Sequence, residues 1–90
     1  MTDRELLELA AKAAGIYYWI PGSTREWNPL TDDGDALRLM VSLRMNVHLD
    51  SNMVDVDPDG VHWFSETYGD DPYAATRRAI VRAAAAIGKE

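Results

Sequence analysis

The chain has 90 residues, 47 % hydrophobic and 27 % charged, a globular composition with room for one domain, residues 1–90, and no second core. No cysteine is present, which excludes a disulfide scaffold, a thiolate zinc site and a cysteine nucleophile. Fifteen acids against nine bases give a net charge of -6, which repels nucleic-acid phosphate and argues against DNA or RNA as a partner.

The first helix is expected to start at Thr2, because Thr2 and Glu5 spell a capping box. Leu6, Leu9, Ala10, Ala13 and Ala14 recur at helical spacing as its buried stripe, and Gly15 is its left-handed stop. Ile16-Tyr17-Tyr18-Trp19-Ile20 reads as a strand, ended by the turn Pro21-Gly22. Ser23 to Trp27 is a candidate return strand. Thr31 is the expected N-cap of the second helix, with Asp32, Asp33 and Asp35 on its positive end. Ala36, Leu37, Met40, Val41 and Leu43 form its apolar side, opposite Arg38 and Arg44, with Arg44 also complementing the helix's C-terminal end.

Met45, Val47 and Leu49 alternate with Asn46, His48 and Asp50, the period of a half-buried strand. Asp50-Ser51-Asn52 turns the chain into a partner strand, Met53 to Val56. Asp57-Pro58-Asp59-Gly60 fits a type I turn with Gly60 left-handed, and Val61 to Glu66 completes a three-stranded meander. Asp71 caps the last helix and Pro72 takes its first position. Tyr73, Thr76, Ile80, Ala83, Ala84 and Ile87 share one face of it, and Gly88 ends it. The expected fold is α+β: an antiparallel sheet of four to five strands, including the meander, with three helices. Because Ile16 to Ile20 is apolar throughout, the helices are expected on both faces, as an α–β–α sandwich.

Asp55, Asp57, Asp59 and Glu66 match the spacing D-x-D-x-D-G-x5-E of a calcium loop. A strand leads into the string where a helix should, and no long helix leaves it, so a β-hairpin with acids on its rim is the expected structure and no metal is expected. His48 and His62 lack metal-ligand spacing. No serine sits in a nucleophile elbow and no phosphate-binding glycine loop occurs, so no catalytic residue and no cofactor is assigned.

The candidate binding residues are Arg77, Arg78 and Arg82, a basic patch on the last helix of an acidic chain, together with Trp27. Such arginines suit a phosphate or a partner's carboxylates, and Trp27 suits stacking on a base. The plain alternative pairs the arginines with local acids such as Asp70, Asp71 and Glu66, and puts Trp19, Trp27 and Trp63 in the core.

Three stretches carry a resemblance: Arg4 to Ala10, Trp27 to Leu43, and Gly69 to Gly88. They resemble a family of small phage and prophage proteins named for an α–β–α sandwich domain. The last stretch, with its turn into an alanine-rich helix, also resembles the NinX-like phage proteins. The resemblance implies helices on both sides of a sheet and a phage accessory product. It carries no catalytic residues to transfer.

These readings set three expectations. The first is a non-catalytic binder of a host or phage protein, as a homodimer. The second is a binder of a small nucleotide-type signal. The third is a hydrolase using unrecognised carboxylates. Met1 to Glu5 lacks a signal peptide's apolar run, and Ile16 to Pro21 is too short to span a bilayer, so the expected location is the cytoplasm.

Overall fold

The computed structural model describes residues 1–16 and 27–90. Helix α1 spans Asp3–Ala14 and opens with the expected capping box. The Thr2 hydroxyl accepts the Glu5 N–H at 3.1 Å, and the Glu5 carboxylate accepts the Thr2 N–H at 3.2 Å. That Thr2 N–H, helped by the hydroxyl, holds the Glu5 carboxyl below its ordinary pKa. Gly15 closes the helix at φ 73°. The buried side is Leu6, Leu7, Ala10 and Ala11, so the stripe is rotated from the expected one; Leu9, Ala13 and Ala14 are half-buried.

Helix α2, Asp33–Ser42, is capped by Asp32 rather than Thr31. The Asp32 carboxylate accepts the Asp35 N–H at 2.8 Å. Thr31 instead closes the preceding turn, its N–H on the Asn28 carbonyl at 3.1 Å. A charged acceptor is the stronger ligand for a helix's positive end. The helix stops before Arg44, which takes a left-handed φ of 55° and turns the chain toward the sheet, so it does not complement a last turn.

Strands β1 (Asn46–Leu49), β2 (Met53–Asp57) and β3 (Phe64–Thr67) form the antiparallel meander, in the order β1-β2-β3. Val47 pairs with Val56 and Leu49 with Val54; across the other edge Val54 pairs with Glu66 and Val56 with Phe64. Alternation puts all of these on one face. The strand β3 starts later than Val61. The Asp59 carboxylate takes the N–H groups of Val61 and His62, at 2.9 and 2.8 Å, and folds both residues into the connection.

Helix α3, Pro72–Gly88, packs against α1, α2, β2 and β3. Ile80, Val81, Ala83, Ala84 and Ala85 are all buried, so the buried arc of its second half is wider than a single face, while Arg82, Ala86 and Ile87 are half-buried. A single buried face through Tyr73 is therefore not what forms. Gly88 is the last residue of the helix, as expected, but ends it without a left-handed turn. It stays helical and faces α1, where an added Cβ would lie 1.9 Å from the Leu9 backbone oxygen. Arg78 meets Asp3, and Gly88 meets Leu9, so α1 and α3 run in the same direction.

The core joins Leu6 and Ala10 of α1, Leu39 of α2, Val54 and Val56 of β2, and Val81 of α3. On the sheet's opposite face His48, Ser65 and Thr67 are exposed. The strands expected over Ile16–Ile20 and Ser23–Trp27 lie outside the described residues, apart from their ends. No helix among the described residues is long and apolar enough to cross a membrane.

Candidate functional site

The three arginines of α3 do not converge. Arg77 donates Nε to the Leu30 carbonyl at 2.8 Å and Nη1 to Asp33 at 2.6 Å, tying α3 to the start of α2. Arg78 Nη2 reaches both oxygens of Asp3 at 3.1 and 3.2 Å, tying α3 to α1. Arg82 Nη1 donates to the Ser65 carbonyl at 2.9 Å and to Glu66 at 2.5 Å, and its guanidinium lies 5.7 Å from the Phe64 ring centroid. Each arginine fastens the central helix to a different neighbour. Of the local acids expected as partners, Glu66 is one, while Asp71 caps α3 instead. Trp27 is half-buried and packed against the core.

Alternation divides the calcium-loop residues. Asp55 pairs with Ser65 and lies on the exposed face, whereas Glu66 pairs with Val54 and lies on the core face. The buried Asp57 carboxylate accepts the N–H groups of Asp59 and Gly60, at 3.0 and 2.5 Å. Asp57 and Asp59 therefore serve the hairpin connection, Glu66 holds Arg82, and no group of three potential metal ligands forms among the described residues.

The exposed sheet face aligns His48, Asp55 and Ser65 in one cross-strand row. The Ser65 hydroxyl donates to Asp55, and the His48 ring packs edge-on against Trp63 at 5.0 Å. Trp63 is thus a surface residue, half exposed, and not a core ring. The order sets a carboxylate on the serine hydroxyl. Activating a serine requires the imidazole there, with the carboxylate behind it. This row supports no hydrolase.

In the connection, His62 Nδ1 lies 2.7 Å from Asp59 Oδ2. The hydrogen bond, then the negative charge, raises the imidazole pKa above its ordinary 6.5. The His62 backbone N–H, then its ring, then the Val61 N–H, hold the Asp59 carboxyl down to about 2. Stability from the raised histidine is complete below 6.5 and is lost as pH rises through the folded value. Stability from the lowered carboxyl is present above 3.8 and is lost as pH falls toward about 2. An NMR titration is expected to put the His62 midpoint above 6.5. Asp59→Asn is expected to return it to the ordinary value; an unmoved midpoint would show that the pair does not form in solution.

Among the described residues, an open apolar groove of about 730 Å³ between α2, β1 and α3 has the capacity to bind. Helix α2 supplies Ala36, Leu37 and Met40 to one wall, and β1 supplies Val47 and Leu49 to its floor. Tyr68 and the first turns of α3, with Tyr73 and Ile80, form the other wall. Leu37 is 57 % exposed, Leu49 66 % and Tyr73 70 %. None of the three was a candidate binding residue from sequence; each was expected on the apolar side of its element. The available signal was the width of the apolar arc on α2. Ala36, Leu37, Leu39, Met40 and Val41 spread over more of the helix than one packed face can cover. Leu39 and Ala36 take the core, and Leu37 and Val41 are left outside. Arg77 is the one sequence-chosen residue that lines the groove, and Asp33 already holds it.

No family model matches the chain, and no curated protein or solved structure matches it.

Proposed function

We propose that this chain is a non-catalytic binding protein that acts by seating a segment of another protein in the groove between α2, β1 and α3. The observation that carries this reading is the exposure of Leu37, Leu49 and Tyr73 around one apolar groove. Contiguous exposed apolar surface on a small domain marks an interaction site. The resemblance to phage and prophage sandwich proteins supplies the setting: an accessory protein acting in a host's cytoplasm. The fuller architecture, four to five strands with helices on both faces, belongs to the same proposal, supported by the apolar run Ile16 to Ile20.

A photo-crosslinking side chain at Leu37, introduced in cells, is expected to capture a discrete protein species. The same side chain at Arg4, exposed on α1, is the control. Equal capture from the two positions, or none from Leu37, would overturn the reading.

A second reading, a small ligand in the same groove, is favoured by its volume, which lies within the ordinary range for such sites. A nucleotide bound there must raise Tm at saturation. The absence of any shift would dispose of the nucleotide form.

A further inference from the structure

Among the described residues the sheet has two edges, β1 and β3, and they differ. The Asp50 N–H lies on the Met53 carbonyl at 2.9 Å, and the Tyr68 N–H on the Asn52 carbonyl at 3.1 Å. These two bonds fix which residues exchange hydrogen bonds along each ladder. By alternation, Val47 and Leu49 turn their N–H and C=O groups away from β2 on one edge, and Ser65 and Thr67 turn theirs away on the other. On the β3 edge Arg82 donates to the Ser65 carbonyl at 2.9 Å, and a cation placed there deters further pairing. On the β1 edge no partner for the outward backbone groups of Val47 and Leu49 stands among the described residues. The strand, Asn-Val-His-Leu, carries no charge. An uncharged edge with unpaired backbone groups is a template for another chain.

The edge is complementary to itself. Its two outward-facing residues are two positions apart. Antiparallel copies related by a two-fold axis can therefore exchange four hydrogen bonds, Val47 with the partner's Leu49 and Leu49 with the partner's Val47. All four side chains then lie on the groove side as one apolar row, which covers the exposed Leu49. On the opposite side Asn46 stands across from the partner's Asp50, an amide donor beside a carboxylate, and both are exposed in the single chain. His48 faces the partner's His48 on the axis. The two Asp50 carboxylates are four residues apart along the ribbon, roughly 14 Å, beyond the reach of exposed charges in physiological salt. A shift of two residues either way pairs Val47 with the turn residue Ser51, or Leu49 with the buried Met45, and loses the apolar row.

We propose that this chain dimerises by pairing β1 with β1 of a second copy, antiparallel and in this register. Two three-stranded sheets become one of six strands, and the two grooves share a floor. This goes beyond the reading of the groove as a docking surface and stands without it. Four residues make a small contact, so the dimer is expected to depend on concentration.

Sedimentation of the whole chain from about 1 µM to about 1 mM is expected to show a monomer–dimer equilibrium. Each copy has a net charge of -6, so added salt should tighten it. The chain has no cysteine, which makes a single introduced thiol a clean probe of register. His48→Cys brings two Cα atoms to about 4.5 Å across the axis, within disulfide range. Asn46→Cys, equally exposed, leaves them roughly 14 Å apart, beyond it. In an oxidising glutathione buffer His48→Cys is expected to cross-link at least about tenfold faster than Asn46→Cys, with Tm of both reduced variants near that of the parent chain.

A monomer at every concentration would overturn the proposal. If the Val47 and Leu49 amides of that monomer resist hydrogen exchange, the edge belongs to a segment of the same chain. A dimer whose two cysteine variants cross-link at equal rates does not pair through β1 in this register and equally overturns it. Neither result touches the capture of another protein from Leu37, which tests the groove separately.

Discussion

Gly88→Ala is expected to be among the most damaging single-methyl changes this chain can suffer. The new Cβ would sit 1.9 Å from the Leu9 carbonyl oxygen and 2.8 Å from its carbon, and both atoms are backbone. No side chain can rotate away, so α1 and α3 must part. Alanine normally gains up to about 1 kcal/mol over glycine inside a helix. The strain of forced separation outweighs that gain, at about 3 kcal/mol by the usual cost of overpacking. For a domain of this size the loss corresponds to a Tm lower by roughly 10–20 °C. Gly34→Ala is the control. There a Cβ meets only side-chain ends, of Arg38 and Asp32, at 3.2 Å. It is expected to leave Tm unchanged or slightly raised. Equal effects at the two glycines, read by calorimetry, would remove the close helix approach from the account.

Leu39→Ala carries the second large effect. Leu39 is 2 % exposed and anchors α2 in the core, while Leu37, two positions away, is open to solvent. Truncating the buried leucine removes its transfer energy and leaves a cavity, at about 2–5 kcal/mol. Leu37→Ala should change stability by less than about 0.5 kcal/mol. Urea midpoints with equal slopes would measure the difference. Similar midpoints would mean that α2 is not held by the side the structure buries.

Local signals in the sequence were the most legible. The Thr2–Glu5 capping box, the Gly15 stop, the cap at Asp71 and the meander each depend on a few adjacent residues, and each forms. The Thr31 cap and the early start of β3 were lost to local competition from Asp32 and Asp59, whereas the larger features depend on who the distant neighbour is. Gly88 does end α3, as read, but only the passage of α1 beside it reveals its spacing requirement. Arg77, Arg78 and Arg82 looked like one patch on a helix. Their partners Asp33, Asp3 and Glu66 come from three separate elements, and only Glu66 was among the acids expected from sequence. The groove was hidden for the same reason. Leu37 and Leu39 are the same residue type on the same helix, and only the tertiary packing decides which stays outside.

The central position of α3 also governs when the chain can fold. Arg78 is 75 positions from its partner Asp3, and Arg77 is 44 from Asp33. During synthesis α1, α2 and the meander emerge with their apolar sides unmatched. The shared partner of all three appears only afterwards. Among the described residues the main packing of α1 and α2 is on α3, so completing the core requires α3 and proceeds through contacts of long sequence separation. Until that moment Leu6, Leu39 and Val54 are exposed together, and protection by a chaperone matters most in that interval.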